Sequence, residues 1–399
     1  MLPKGAFIRR HALPIIVILF FLIVPPVALA FRQVYLKQQV ADKLNRELQK
    51  QLSESQAKVA SFSAEIDRLN NQDLRKINNQ VKQEIANLEV AYDKAATTYE
   101  DLAKLRSLSG SKTGPIDVIY ASLINFLSKN DMKNANETLK KLADAISKEE
   151  TRLIAAVVIP PNTPAINAAP GSGFRRQQVQ TDSGTFLVDV VAADLNSTKV
   201  IIDTASNGTC SNDCPTLPMA TYVSRSGAYA GVNGTYFCPE TYPTCADKKN
   251  TFDVLVMNKN KVYFNSDNNV YSTVPVAIFS GNSARFIGAA SGWGRDTGVD
   301  AVISNRPLLV LDGNNMLASG GEAKEVIRGP RSFLGSTGST AYIGVVHGAS
   351  VAEAAKVLTT MGVNNAINLD DGGSVALWSG GYKDGPGRNI PNAVLFVRK

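Results

Sequence analysis

Residues 350–374, Ser-Val-Ala-Glu-Ala-Ala-Lys-Val-Leu-Thr-Thr-Met-Gly-Val-Asn-Asn-Ala-Ile-Asn-Leu-Asp-Asp-Gly-Gly-Ser, hold a helix, a strand and a polar turn in succession. Ser350 with Glu353 three residues on forms a capping box, so a helix begins there. Gly362, just after Met361, ends it. Residues 366–369 are a short apolar β-type run, and Asp370-Asp371-Gly372-Gly373-Ser374 closes it in a turn that sets polar groups at a strand end. Outward from this unit the texture repeats. Short β-type runs separated by turns occupy 185–191, 199–203, 251–256, 274–279, 301–304, 307–311, 341–346 and 393–397. Many strands with one clear helix predict an α+β domain over 175–399, built on a mixed sheet.

The charge lies elsewhere. The 399 residues carry a net +7. From Arg175 onward there are 19 basic and 18 acidic residues, leaving 23 basic against 17 acidic before it. The basic surplus therefore sits outside the strand-rich domain, which argues against a nucleic-acid partner. Only two histidines exist, His11 and His347. A Ser-His-Asp triad or a multi-histidine metal centre would have to rest on His347 alone. A lone histidine after Val345-Val346 reads first as a satisfied strand-end residue, and second as a catalytic candidate.

Lys4, Arg9 and Arg10 precede residues 12–31, which carry no charge. Twenty such residues just span a hydrocarbon core of ~30 Å, and the basic flank keeps the N-terminus cytoplasmic. Ala28-Leu29-Ala30 after Pro25-Pro26 also fits a signal-peptidase site. Residues 1–32 are thus expected to be a signal anchor or a cleaved signal peptide. Both place the rest of the chain outside the cytoplasm, membrane-anchored or secreted.

Residues 33–109 read as a helical coiled-coil stalk. Asn45, Leu52, Val59 and Ile66 alternate with Leu48, Ser55, Phe62 and Leu69 at heptad spacing. A second register runs through Asn78, Ile85, Tyr92 and Tyr99 with Val81, Leu88, Ala95 and Leu102; the phase slips between Asn70 and Lys76. Such a seam predicts self-association into a homo-oligomer. Residues 116–150 form a helical hairpin, and 151–174, rich in Pro, Ala and Asn, an extended linker.

The four cysteines, Cys210, Cys214, Cys238 and Cys245, cluster within 36 residues. In an oxidising compartment this points to two disulfides, with three connectivities open. A four-cysteine zinc site competes, though neither pair has C-x2-C spacing.

Four segments join strand-like residues to polar groups at turns: Gly231–Phe237, Arg328–Gly335, Asn368–Ser374 and Gly387–Ala393. In this order they resemble the phosphodiester glycosidase family, which includes exported bacterial members. Asn233, Gly234, Tyr236 and Phe237 carry the first motif, and Pro330, Arg331, Ser332 and Gly335 the second. Asn368, Leu369, Asp370, Gly372, Gly373 and Ser374 carry the third, and Arg388, Asn392 and Ala393 the last. The resemblance spans roughly 180–399. Two positions depart from it: Asp371 replaces a glycine, and His347 stands where an aspartate is common.

The resemblance implies a hydrolase that cleaves sugar-1-phosphodiester linkages in envelope glycans. An oxocarbenium-like transition state needs a carboxylate near the anomeric carbon, and the leaving phosphate needs its charge held. On that basis Asp370 is the first candidate for the carboxylate, with Asp371, Asn233 and His347 as further catalytic candidates. Arg331 and Arg388 are candidates for the phosphate. Tyr236, Asn368, Gly372, Gly373, Ser374 and Asn392 are candidates for the rest of the substrate. No cofactor is implied and no metal ligand is assigned. Because Asp371 departs from the family glycine, Asp371→Gly is expected to leave activity intact. The rival readings are a non-catalytic glycan-binding module and an envelope scaffold whose working part is the stalk.

Overall fold

The computed structural model describes residues 7–70, 73–107, 111–155, 159–296, 298–317 and 327–399. They form two compact units that divide between Ala86 and Asn87.

The first unit contains helix α1 (Phe7–Asn70) and the start of helix α2 (Asp73–Ser107). The expected slip between Asn70 and Lys76 falls partly on residues 71–72, which lie outside the described residues. Leu48, Leu52, Val59, Phe62, Ile66 and Leu69 are all 49–66% exposed, so the apolar seam of α1 faces solvent. The uncharged segment 12–31 has helical backbone, but its side chains, Leu29 apart, lie outside the described residues. Among the described residues no helix is long and apolar enough to cross a membrane.

The second unit begins inside α2. Here the helix continues the heptad spacing, but Ala91, Ala95, Leu102 and Leu105 are buried. They pack on helices α3 (Gly114–Ser128) and α4 (Met132–Ala155) through Ile116, Leu123, Leu127, Ala135, Leu142 and Ile146. Pro115 suits the first turn of α3, where a missing N–H costs nothing. Arg106 of α2 donates to Asp117 of α3 at 2.7 Å. The last third of the expected stalk therefore buries its apolar face within its own chain. Helix α4 extends to Ala155 into the expected linker, and Ala165 pairs with Gln178 in an isolated bridge.

Among the described residues, seventeen strands follow in three sheets. The largest contains β1 (Gly173–Thr181), β2 (Gly184–Asp194), β10 (Leu308–Leu311), β11 (Asn314–Asn315), β12 (Gly329–Thr337), β13 (Thr340–Ala349) and β14 (Asn365–Asp371), in the order β1-β2-β13-β12-β14-β10-β11. The second contains β3 (Thr198–Thr204), β4 (Ala230–Asn233), β15 (Leu377–Ser379), β16 (Tyr382–Asp384) and β17 (Asn392–Arg398), ordered β16-β15-β4-β17-β3. The third contains β5 (Val256–Met257), β6 (Tyr263–Phe264), β7 (Val276–Ser280), β8 (Ser283–Ile287) and β9 (Ala301–Ser304), ordered β6-β5-β9-β7-β8. Among the described residues, three α-helical elements lie between: α5 (Met219–Ser226), the single turn α6 (Asn268–Tyr271) and α7 (Val351–Thr360).

Every strand pair in these sheets is antiparallel, which corrects the expected mixed sheet. The reason is local to α7. It links β13 to β14, but β12 lies between them and pairs antiparallel with both, so the crossover yields no parallel neighbours. The capping box of α7 forms as read: Ser350 Oγ accepts from Glu353 N, and Ser350 N donates to the Glu353 carboxylate.

Helix α7 lies on one face of the large sheet through Val351, Ala354, Ala355 and Leu358, meeting Val188, Val190 and Phe333. The opposite face packs into the interior with residues of all three sheets, including Val191, Ile202, Val256, Ile303, Leu334, Ile367 and Val394. Central strands covered on both faces need near-continuous apolar runs, as in β2, where only Asp189 interrupts residues 186–193. The run at 251–256 is mostly loop, with only Val256–Met257 as strand. The Arg-Gly-Pro-Arg segment, which alone reads as a loop, starts the nine-residue strand β12.

Candidate active site

Three strand ends and one turn meet at Asp370. Strand β14 carries Asn368, Asp370 and Asp371, and the turn Gly372–Ser374 follows at once. Strand β12 sets Arg331 opposite Asp371 in register. Strand β4 ends at Asn233.

Asn233 is a brace. Its Nδ2 donates to the Asp370 carbonyl at 2.6 Å. Its Oδ1 accepts from Ser332 Oγ at 2.7 Å and from Ala376 N at 3.1 Å. The fully buried amide therefore ties β4, β12 and β14 together and fixes the backbone of Asp370. Asn392 acts likewise on the next loop, accepting from Thr235 N and donating to Thr235 Oγ1, both at 2.9 Å. Gly234 is required there, since a Cβ would overlap Asn392 Oδ1. Asn305 was not singled out by its sequence context, yet it is fully buried among these groups. Its Nδ2 donates to the Asn368 carbonyl and its Oδ1 accepts from Tyr236 N.

The two carboxylates have different surroundings. Asp370 is buried, and its Oδ1 accepts from Asp371 N at 2.9 Å. Burial first, and then the charge of Asp371, push its carboxyl up to about 7; Ser374 and Arg388 pull the other way. Asp371 is compensated. Its Oδ2 accepts from Arg331 Nη1 and from Tyr236 Oη, the latter at 2.9 Å. Lys104 Nζ lies 3.9 Å from its Oδ1. Neighbours in an extended strand point to opposite faces, but the chain turns at Gly372, φ +60°, and both carboxylates join one electrostatic cluster.

Arg331 is only 2% exposed. Besides Asp371 it donates to the carbonyls of Ala349 and Ile327, so its fork faces protein groups. Tyr236, a candidate for contact with the substrate, bridges Asp371 and Asn368, whose Nδ2 donates to the phenol oxygen at 2.7 Å. Burial and the Asp371 charge raise the Tyr236 phenol well above its ordinary range, so it stays a donor. Arg388 donates its backbone N–H to the Gly373 carbonyl, and its guanidinium lies 5.4 Å from the Tyr242 ring centre.

His347 belongs to another cluster. Its Nε2 is 3.0 Å from Asp189 Oδ2, and its Nδ1 is 3.8 Å from Asp384 Oδ2. Arg176 meets Asp189 with two bonds of 2.6 and 2.7 Å and also reaches the Lys383 carbonyl. Burial pushes the Asp189 carboxyl up, but the bonds from His347 and Arg176 outweigh it and hold it low. The group ties β1, β2 and β13 to β16.

The cysteines pair in sequence order, Cys210–Cys214 and Cys238–Cys245, and none is free. The second bridge closes the loop that carries Tyr242 and Thr244. Glu100 of α2 accepts from Thr244 N and Thr244 Oγ1, so this loop is held between Arg388 and the helical segment. No signal in the sequence marked Glu100 or Lys104, because both look like ordinary charges on a helix.

A buried Asp370 carboxyl beside Asp371, itself paired with Arg331, thus sits at a glycine turn on an antiparallel α+β scaffold. Residues 226–397 match the phosphodiester glycosidase family, the family that the four motifs resemble. No protein of curated function matches the chain. Among solved structures it is similar to the zebrafish N-acetylglucosamine-1-phosphodiester alpha-N-acetylglucosaminidase catalytic domain auto-inhibited by its pro-peptide. That match has 16% identity and a TM-score of 0.45, and covers 59% of this chain and 87% of that one. A hypothetical protein from Synechocystis matches at 15% identity and TM-score 0.40, over 56% of this chain and 62% of that one. A putative exported protein from Burkholderia pseudomallei matches at 13% and 0.36, over 53% and 74%.

Proposed function

We propose that the sheet domain hydrolyses glycosyl phosphodiesters, releasing a sugar and a phosphomonoester. The observation that carries this reading is Asp370: a buried carboxyl raised to about 7, beside a charge-compensated Asp371 and feeling the positive charge of Arg388. A base serves best when its pKa lies near the working pH. Ionised Asp370 takes a proton from a water that attacks the anomeric carbon. The bond from that carbon to the phosphate oxygen breaks, and its electron pair leaves with the phosphate. Arg388 faces the charge that develops there.

The test is turnover of a synthetic glycosyl phosphodiester in 18O-labelled water. Label in the released sugar supports cleavage at the carbon–oxygen bond. Label in the phosphomonoester means attack at phosphorus, which this reading does not survive. Saturable glycan binding without turnover would support the binding-module rival.

The same proposal puts the domain outside the cytoplasm, on a stalk held at the membrane by residues 12–31. The uncharged segment and two disulfides support it. The substrate class is then an envelope glycan joined through sugar phosphates.

A further inference from the structure

Lys104 reaches the carboxylate cluster from outside the family segment. It sits in the last turn of α2. Its alkyl stem crosses the glycine turn, since a Cβ at Gly372 would lie 2.9 Å from Lys104 Cε. Its ammonium is 3.9 Å from Asp371 Oδ1. The side chain keeps 23% of its exposure, whereas that of Arg331, the other cation on Asp371, keeps 2%.

The helix is also anchored so that this lysine cannot drift. Leu102 and Leu105 are buried against α3 and α4. One turn earlier, Glu100 holds the disulfide-closed loop through Thr244. That loop carries Tyr242, against which Arg388 rests. Lys104 and Arg388 are thus positioned by the same helix-to-loop contact. Glu150 of α4 also feels the Lys104 charge.

We propose that Lys104 is a specificity-determining residue of the hydrolytic site, a ligand for the phosphate of the substrate supplied by the helical segment. This rests on the glycosyl-phosphodiester reading. Asp371 then acquires a role: it is the counter-ion that aims Lys104 at the glycine turn while Arg331 holds Asp371 from behind. The site is composite. The family segment supplies Asp370, and the helix supplies a cation for the anionic half of the substrate.

The experiment uses the full chain with Lys104→Ala and Lys104→Arg, and two probes. Calorimetry with inorganic phosphate reads the anion site without requiring turnover. Kinetics with the synthetic phosphodiester read KM and kcat separately, with the uncharged free sugar as a competing ligand. Lys104→Ala should weaken phosphate binding roughly tenfold, about 1.4 kcal/mol, and raise KM by a similar factor. Sugar inhibition should stay unchanged, and Lys104→Arg should recover most of the loss. Unchanged phosphate affinity in Lys104→Ala overturns the proposal, as does wild-type protein that binds no phosphate. Faster turnover in Lys104→Ala also overturns it, and would make Lys104 a plug rather than a ligand. Lys104-dependent phosphate binding without any turnover would instead sink the hydrolase reading alone.

Discussion

Asp371→Asn and Asp370→Asn probe the two carboxylates separately. Asp371 contributes a charge that raises Asp370, so Asp371→Asn should let the Asp370 carboxyl fall below about 7. If ionised Asp370 is the base, activity rises with pH through that value. The acid limb of the pH–rate profile should then move to lower pH in the variant. Asp370→Asn should reduce turnover by orders of magnitude. It should also stabilise the fold at high pH. A carboxyl raised on folding binds its proton more tightly in the native state, so stability falls as pH climbs from about 4 to about 7. Above that window the native state holds a buried charge, which asparagine lacks. Thermal melts of both proteins at pH 5 and pH 8.5 check the sign: the variant should gain more at the higher pH. The expectation that Asp371→Gly spares activity does not fit the structure. Arg331 would lose its counter-ion at 2% exposure, a change of about 3–5 kcal/mol in such pairs. Denaturant unfolding of Asp371→Gly should show that loss.

Among the elements, the disulfide loop 238–245 and the end of α2 act on the site together. Cys238→Ser with Cys245→Ser opens a short loop, for which chain entropy predicts about 2 kcal/mol of stability. The loop carries Tyr242, so the double variant should also free the Arg388 guanidinium and raise KM for the phosphodiester more than it lowers kcat. Equal KM in both proteins would mean the loop does not position Arg388. These elements differ in how far their sequence announces them. The capping box and Gly362 define α7 from neighbouring residues alone, and it forms over Val351–Thr360. Strand β12 was hidden, because Arg-Gly-Pro-Arg has turn chemistry and becomes a strand only through β13 and β14 on either side. Residues 91–105 keep heptad spacing, but that spacing serves any helix packed on helices; the hairpin α3–α4 decided which partner they met.

On the scale of the whole chain, the exposed seam of α1 and the site in the sheet domain make separable predictions. If the solvent-facing apolar stripe of α1 pairs with a second copy, the protein should sediment as an oligomer, and Leu52→Lys with Phe62→Lys should abolish that association. Turnover should be unchanged, since neither residue belongs to the unit that holds Asp370. By itself the sequence determined what local signals can encode: an α+β domain after a helical segment, a glycine turn carrying Asp370, disulfide pairing among four clustered cysteines, and four motifs in family order. The tertiary structure alone decided which polar residues brace and which face the chemistry. Asn233, Asn392 and Arg331 are bound to groups far away in the chain, His347 is drawn to Asp189 and Asp384, and Lys104 arrives from a helix outside the motifs. Periodicity, caps and turns depend on neighbours a few residues apart, so one strand of sequence displays them. Hydrogen-bond saturation, burial and charge pairing depend on residues brought together from remote positions, and exist only once the sheets have closed on one another.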